Sequence, residues 1–123
     1  TLTGGGGDDE IHGGLGVDRL SGGAGADLFV FTAVAHSPVA APDTIVNFNA
    51  LEGDRLAFAG MGSGGDFRWR GALDFTAKGG AEGRFDEATT TLFIDLNGNG
   101  VAEMAFLLPN LAPGLDAHAV IWA

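Results

Sequence analysis

The sequence predicts an all-β protein in which a short parallel β-roll continues into a β-sandwich-like stack of strands. Three consecutive nonapeptides in 4–30 (GGGGDDEIH, GGLGVDRLS and GGAGADLFV) fit G-G-x-G-x-D-x-U-x, where U is a large apolar residue. The rest of the chain alternates short apolar runs with turn residues and contains no long amphipathic pattern. Because a nine-residue unit cannot bury its own apolar residue, it must stack on copies of itself.

The stacking predicts how the repeats are arranged in space. Two nonapeptides would form one coil, so that successive turns alternate between two edges and Ile11, Leu20 and Phe29 face the interior. Asp9 and Asp27 would then lie on one edge, about one strand spacing (roughly 4.7–4.9 Å) apart. A flexible glycine-rich linker is the alternative, but a linker has no reason to repeat Asp and a bulky apolar residue every nine positions.

Paired carboxylates and glycine turns together indicate a hard cation. Bare carboxylates at this spacing repel each other, and glycine turns expose carbonyl groups. Calcium accepts both kinds of oxygen, and the absence of cysteine or clustered histidine disfavours a softer metal. The sequence therefore predicts Ca²⁺ as cofactor. The ligand-bearing positions predicted in the repeats are Gly4, Gly5, Gly6, Gly7, Asp9, Gly13, Gly14, Leu15, Gly16, Asp18, Gly22, Gly23, Ala24, Gly25 and Asp27.

Composition narrows the class of protein. The chain has 123 residues, which predicts one domain, and a formal net charge of −10, which disfavours nucleic acid and anionic membranes as partners. There is no cysteine for a disulfide framework and no apolar run long enough for a transmembrane helix, so membrane insertion is not expected. No N-terminal signal peptide is visible, although the chain opens within a repeat.

The remainder of the chain reads as strands separated by loops. Loops are expected at 32–43, 59–66 and 109–113, and a turn is expected at 52–54. Residues 71–83 are expected to be irregular or to contain a weak helical turn. Strands are expected at 29–31, 44–48, 55–58, 67–70, 83–86, 89–96, 101–108 and 115–122.

The segment Asn97-Gly98-Asn99-Gly100 is the strongest hairpin signal. Together with Asp95 it also resembles the start of an EF-hand loop, but Phe106 stands where that loop needs a bidentate Glu. A tight hairpin is therefore the favoured interpretation and a calcium loop the alternative.

Catalytic motifs are missing from the sequence. The three histidines are scattered and form no H-E-x-x-H, and no G-x-S-x-G surrounds a serine. The chain is therefore not expected to be an enzyme by itself. Arg68-Trp69-Arg70 is expected to be one face of a strand, with contact to a polysaccharide or acidic partner as the alternative.

The repeats resemble the calcium-binding β-roll of RTX proteins. The order GGAGADLFVF, SPVAAPDTIVNF, EGDRL, DLNGNGVAEM and a hydrophobic C-terminus resembles, over almost the whole chain, the C-terminal domain of serralysin-type metalloproteases of peptidase family M10. The resemblance implies that the loop after Phe31 completes the edge carrying Asp18. In the family pattern this loop bears two aspartates; Asp43 matches the second, whereas His36 replaces the first. Asp18 and Asp43 are thus expected to share an ion, unless Asp43 only begins the next strand.

The resemblance also implies a function. It predicts a calcium-binding module of a larger secreted protein, which folds on Ca²⁺ outside the cell and supports secretion and stability of an attached exoenzyme. Residues 1–30 would be the roll and 31–123 the cap of a single RTX-type domain. The implied partners are an upstream catalytic domain and a type I secretion ABC transporter, which would recognise Asp116 and the hydrophobic residues 117–123. The alternative is an adhesion or carbohydrate-binding module that uses the surface around 59–88.

Overall fold

The described part of the chain folds into two β-sheets, whose strands are joined by loops and by the short 3₁₀ helices η1 and η2. The computed structural model describes residues 2–58, 67–71, 73–76, 80–109 and 119–122. The strands are β1 Leu2–Gly6, β2 Glu10–Ile11, β3 Arg19–Ala24, β4 Leu28–Phe31, β5 Asp43–Val46, β6 Arg55–Phe58, β7 Phe67–Trp69, β8 Ala81–Asp86, β9 Thr91–Asp95, β10 Met104–Leu107 and β11 Val120–Trp122. The 3₁₀ helices are η1 Val34–His36 and η2 Ala50–Glu52. The all-β prediction is confirmed.

The repeats form the predicted parallel coils. Strand β1 pairs with β3 in a register that places Leu2 opposite Leu20. Strand β2 pairs with β4 and places Glu10 opposite Leu28, so two nonapeptides make one coil on both sheets. Parallel pairing continues from β3 to β5 and from β4 to β6. The later coils are longer because η1 and η2, with their flanking loops, replace the glycine turns.

One apolar residue from each of the strands β2 to β6 fills the interior. An Asp-x-U-x tetrapeptide accompanies each strand from β2 to β6, and its alternation points U inward while the neighbouring positions point outward. The U residues are Ile11, Leu20, Phe29, Ile45 and Leu56, and all are buried. The core also joins the two sheets through aromatic contacts: the ring centroids of Phe31 and Phe106 lie 4.6 Å apart. Burial of each such side chain contributes about 1.5–3 kcal/mol.

The strands after the roll extend its first sheet. That sheet has the order β1-β3-β5-β10-β9-β8-β7, and the second has the order β11-β6-β4-β2. Strand β10 joins parallel to β5 and then pairs antiparallel with β9. The Ser37 hydroxyl stabilises this junction, because it donates to the Ala105 carbonyl and accepts the N–H of Asp43. The two layers of the roll therefore continue into the cap.

Several predicted boundaries change in the structure. The strand expected over 44–48 is β5, which begins one residue earlier and ends at Val46. The stretch to residue 83 was expected to be irregular; this is wrong at its end, because β8 already begins at Ala81, where Phe67 of β7 pairs with it.

The hairpin and the C-terminal strand are also refined. The two arms of the predicted hairpin pair as expected. The connection between them spans residues 96–103, so the prediction of a tight turn is wrong. Residues 120–122 form the edge strand β11, which pairs parallel with β6. The loop expected at 59–66 lies outside the described residues. Residues 110–118 also lie outside them, and these include most of the break predicted at 109–113 and the start of the predicted last strand. Within the described ranges, no helix is long and apolar enough to cross a membrane.

Candidate metal centre

The turns of the roll stack on two edges, which we call edge one and edge two. Edge one contains turns 4–9 and 22–27, and the register places Gly5 opposite Gly23 and Gly6 opposite Ala24. Edge two contains turn 13–18. Asp43, which follows loop 32–42, lies beside this turn. The structure therefore brings Asp9 beside Asp27 and Asp18 beside Asp43, as the repeat pattern and the family resemblance led us to expect.

Glycine is required at the three motif positions of each turn for two different structural reasons. The second and fourth turn positions have positive φ, from 76° to 107°, which L side chains rarely adopt. The first position lacks space instead. A Cβ added at Gly4 would lie 2.6 Å from Asp9 Oδ2 and 2.8 Å from the Gly22 carbonyl oxygen. The first glycine thus leaves room for a cluster of oxygen atoms inside the turn.

Each repeat aspartate is tied to the coil next to it. The N–H of Asp9 donates to Asp27 Oδ1 at 3.0 Å, and the N–H of Leu28 donates back to the Asp9 carbonyl at 2.7 Å. Edge two repeats the arrangement. There the N–H of Asp18 donates to Asp43 Oδ1 at 2.8 Å, and Thr44 N–H donates to the Asp18 carbonyl at 2.9 Å. These bonds fix the carboxylates of Asp27 and Asp43 through Oδ1, whereas Asp9 and Asp18 are held through their backbone N–H and carbonyl groups.

The Oδ2 atoms of the same aspartates have no hydrogen-bond donor. Four buried side-chain oxygens lack a partner among the described residues, and they form one pair on each edge: Asp9 Oδ2 and Asp27 Oδ2 on edge one, and Asp18 Oδ2 and Asp43 Oδ2 on edge two. On edge two both oxygens face the same point beside Gly13, because a Cβ there would lie 3.1 Å from one and 3.2 Å from the other. A buried charge without a partner is costly, so each pair requires a positive partner.

Raised pKa values also show that the ionised carboxylates of Asp43 and Asp27 are destabilised without a positive partner. Burial, opposed by the hydrogen bond from Asp18 N–H and reinforced by the Asp18 charge, raises the pKa of Asp43 to about 6. Burial also raises the pKa of Asp27, and the charges of Asp54, Asp9 and Asp8 act in the same direction. A cation between the carboxylates would reverse these shifts, since an opposite charge favours the ionised form.

The donor chemistry fits a calcium ion. Within the described residues no group of three or more His, Cys, Asp or Glu could hold a metal. Each edge supplies two carboxylates, so turn carbonyls such as that of Gly22 would have to complete the shell. Calcium accepts six to eight oxygens of both kinds, whereas zinc prefers nitrogen and sulfur. Gly6, Leu15 and Ala24 are exposed and carry no side-chain oxygen, so they could take part only through their backbone carbonyl groups.

Asp54 is a residue of edge one that the sequence interpretation missed. Its Oδ1 accepts the N–H of Asp27 at 2.9 Å, so it stands one coil beyond Asp27 in the same ladder. Its Oδ2 accepts the N–H of Asn49 at 2.9 Å, so both oxygens are used. Burial raises the pKa of Asp54 as well. The tetrapeptide DRLA at 54–57, which matches D-x-U-x, is the signal that could have identified it.

Two further residues modify the edges. Asp8 Oδ1 accepts the N–H of Ala26 at 2.9 Å, which adds a fourth carboxylate to edge one beside those of Asp9, Asp27 and Asp54. His36, which replaces the first loop aspartate of the family pattern, lies close enough to Asp43 for its charge to lower the pKa of that carboxyl slightly against the other causes. Edge one is therefore more acidic than edge two.

The connection between β9 and β10 uses its aspartate differently. Asp95 is buried, and its Oδ1 and Oδ2 accept the N–H groups of Gly98 and Gly100 at 2.9 and 2.8 Å. Leu96 N–H donates to Glu103 Oε1 at 2.6 Å. These hydrogen bonds are internal to the connection and account for its width.

The fold and the paired carboxylates define a calcium-type β-roll module, and comparison with known families agrees. The family described as Peptidase M10 serralysin C terminal matches residues 1–112, and the chain belongs to this family. The family is the non-catalytic C-terminal domain of M10 proteases, which are secreted. A search of curated proteins found no match.

Proposed function

We propose that this chain is a calcium-binding module of a larger secreted protein, which folds on Ca²⁺ outside the cell. The observation that carries the proposal is the set of four buried Oδ2 atoms without donors, arranged as one pair per edge. Membership of the serralysin C-terminal family supports the same function. The attached exoenzyme is then an M10-type metalloprotease, and the module supports its export and stability.

The structure suggests one ion on each edge. On edge one the ion would lie with Asp9, Asp27 and carbonyls of turns 4–7 and 22–25. On edge two it would lie with Asp18, Asp43 and carbonyls of turn 13–16. Asp54 ends the series on edge one, because both of its oxygens already accept backbone N–H groups.

Calcium would act through linkage. An ion that binds only the folded roll stabilises it by RT ln(1 + [Ca²⁺]/Kd), about 2.7 kcal/mol for each site at a hundredfold excess over Kd. Extracellular calcium modules work at Kd values of roughly 10⁻⁴–10⁻³ M. At low calcium the paired carboxylates repel each other, and ordering the glycine turns costs conformational entropy that no bound ion offsets. The chain therefore remains unfolded and can cross a secretion channel before it folds.

Isothermal calorimetry with edge-specific variants tests the sites. Asp27→Asn and Asp43→Asn keep an Oδ1 that accepts the backbone N–H but remove the charge, so each should abolish one equivalent of bound calcium and leave the other. Asp86→Asn is the matched control, since Asp86 lies outside the roll and only accepts the N–H of Ala88. Unchanged stoichiometry and affinity in both edge variants would refute the assignment.

The export role rests on the C-terminus and needs a separate test. Deletion of 117–123 should abolish export through a type I secretion system. This deletion also removes β11, which pairs with β6, so folding must be separated from recognition. Export of the Asp27→Asn variant provides that control, because it weakens calcium-dependent folding and keeps the C-terminus. Normal export of the deletion variant would contradict the role in secretion.

A further inference from the structure

A groove on the cap lies outside the calcium edges. It has a volume of about 510 Å³, within the range of ligand-binding clefts. Its floor is formed by β8 and β9, and its walls by loop residues from 37–42, 73–76 and 100–102. The residues that determine its chemistry are Val39, Asp74, Phe75, Arg84, Phe93 and Val101.

Arg84 is the cationic group of this groove. Its guanidinium carbon lies 4.9 Å from the ring centroid of Phe93 and 5.5 Å from that of Phe75. These rings attract the cation through their faces but accept none of its N–H groups in conventional hydrogen bonds. Among the described residues the guanidinium has no ion pair and no hydrogen bond. Its planar set of donors is therefore positioned and available for a carboxylate.

Residues 67–84, several of which line this groove, form a more basic segment than the rest of the chain. Residues 67–84 contain four of the six basic residues and two of the sixteen acidic ones. One of those acids, Glu82, is buried; it accepts Thr76 N–H at 2.7 Å, and the charges of Arg70 and Arg68 help to lower its pKa. The other acid, Asp74, lines the groove together with Arg84. Because the Arg84 guanidinium has no ion pair among the described residues, it remains available to an anionic group of a ligand.

The walls select among anionic ligands. Val39 and Val101 are 43% and 64% exposed, and together with the two phenylalanines they supply the apolar part of a lining that is mixed in polarity. A saccharide needs many polar side chains, whereas the charged groups lining this groove are the Arg84 guanidinium and the Asp74 carboxylate. A peptide offers a carboxylate to the first, an N–H to the second and apolar side chains to the walls. We propose that the groove binds an extended acidic peptide segment, with a Glu or Asp side chain paired to Arg84 and its apolar neighbours on Val39 and Val101.

Calorimetric titration of the full chain in millimolar calcium tests this proposal. The probes are a blocked Ala-Leu-Glu-Leu-Ala peptide and its analogue with Gln in place of Glu. The acidic peptide should bind about tenfold more tightly than the Gln analogue, because a bidentate carboxylate is lost in the analogue. Arg84→Gln should remove that difference. Arg84→Lys should retain part of it, since an ammonium cannot reproduce the fork of donors. Arg19→Gln is the control, as it removes the same charge from an exposed position outside the groove.

A second variant guards against effects of Arg84 substitution on folding. Val101→Glu places a negative charge at an exposed rim position and leaves the Arg84 contacts in place. It should weaken both peptides, because an apolar contact of the wall is lost, and it should weaken the acidic peptide about tenfold more than the Gln analogue, because like charges then meet. Equal binding of the two peptides, or an undiminished preference in Val101→Glu, would overturn the proposal. Binding of an oligouronate without any binding of the acidic peptide would also overturn it and assign the groove to glycans.

Discussion

Asp27 in the roll and Asp95 in the β9–β10 connection are both buried aspartates beside glycine turns, but the backbone meets them differently. Both oxygens of Asp95 accept N–H groups, from Gly98 and Gly100. Asp27 accepts one N–H, from Asp9, and its Oδ2 has no donor among the described residues. The same pair of residue types thus forms a self-contained turn in one place and an incomplete site in the other.

The difference shows what the glycine pattern specifies. In the connection, the chain curls so that its N–H groups converge on the carboxylate, which compensates the charge locally. In the roll, the Gly22 carbonyl oxygen and Asp9 Oδ2 both approach Gly4, so oxygen meets oxygen. A bound cation or a proton can satisfy that arrangement, and calcium accepts both carboxylate and carbonyl oxygens. We therefore expect the roll to depend on calcium and the connection to be independent of it.

Removal of calcium should separate the two regions most strongly. The amide N–H groups of Leu28 and Thr44, which donate to Asp9 and Asp18 carbonyls, should lose at least about 100-fold of their hydrogen-exchange protection in excess chelator. The amides of Gly98 and Gly100 should change much less, because their acceptor is Asp95. Amide exchange followed by NMR measures both sets in one sample. An equal loss of protection in the two regions would show that the connection depends on calcium as much as the roll does.

Isosteric substitutions should act with opposite sign in metal-free protein. Asp27→Asn should raise the free energy of unfolding in chelator, because it removes an uncompensated buried charge and keeps the acceptor for Asp9 N–H. Asp95→Asn should lower it by about 1–3 kcal/mol, because an amide NH₂ would then face backbone N–H donors. Urea unfolding in chelator and in millimolar calcium gives both values. In calcium, Asp27→Asn should instead be less stable than the wild type. Destabilisation by Asp27→Asn in chelator would contradict this account.

The periodic part of the sequence predicted the roll well because its information is local. Nine-residue spacing sets the coil length, and this fixes Asp9 beside Asp27 without knowledge of the rest of the chain. Asp54 was missed because the loop containing η2 breaks the period, leaving only the tetrapeptide DRLA as a signal. Its partner, Asp27, is 27 residues away, whereas a regular coil of two nonapeptides places same-edge partners 18 residues apart.

The sequence predicted the strands of the cap but not the order in which they pair. The pairing of β10 with β5 joins Phe106 to Asp43, residues far apart in sequence, and depends on Phe106 packing against Phe31. Such non-local contacts leave no periodic trace. The width of the 96–103 connection was missed for another reason. Asp95 and Glu103 capture backbone N–H groups of the loop, and this competes with a two-residue turn.

The pH dependence should differ between metal-free and calcium-bound protein. The pKa of Asp43 is about 6 in the folded state, above its ordinary value of 3.8, so the folded chain binds more protons than the unfolded chain between these limits. In chelator, the free energy of unfolding should therefore rise as the pH falls from 7 toward 4. In calcium, the edge-two affinity should fall about tenfold per unit below pH 6, because the ion must displace the proton.

Thermal unfolding across this pH range, with and without calcium, measures both effects. Asp43→Asn provides the control, because it should remove the Asp43 component of the rise in chelator while Asp27 and Asp54 still contribute. The same direction of change in chelator and in calcium would contradict the assignment of Asp43 to a calcium site.

Glycine substitutions should give the smallest effects and the finest distinction. Gly13→Ala introduces a Cβ 3.1 Å from Asp18 Oδ2 and 3.2 Å from Asp43 Oδ2, at a position without positive φ. It should lower calcium affinity severalfold and change metal-free stability by no more than about 0.5 kcal/mol. Gly98 has a φ of 72°, so Gly98→Ala should cost about 1 kcal/mol with or without calcium and leave affinity unchanged. Calorimetry and urea unfolding of both variants decide the matter. A calcium-dependent penalty at Gly98, or none at Gly13, would mean that the two turns do not differ in the way their hydrogen bonds indicate.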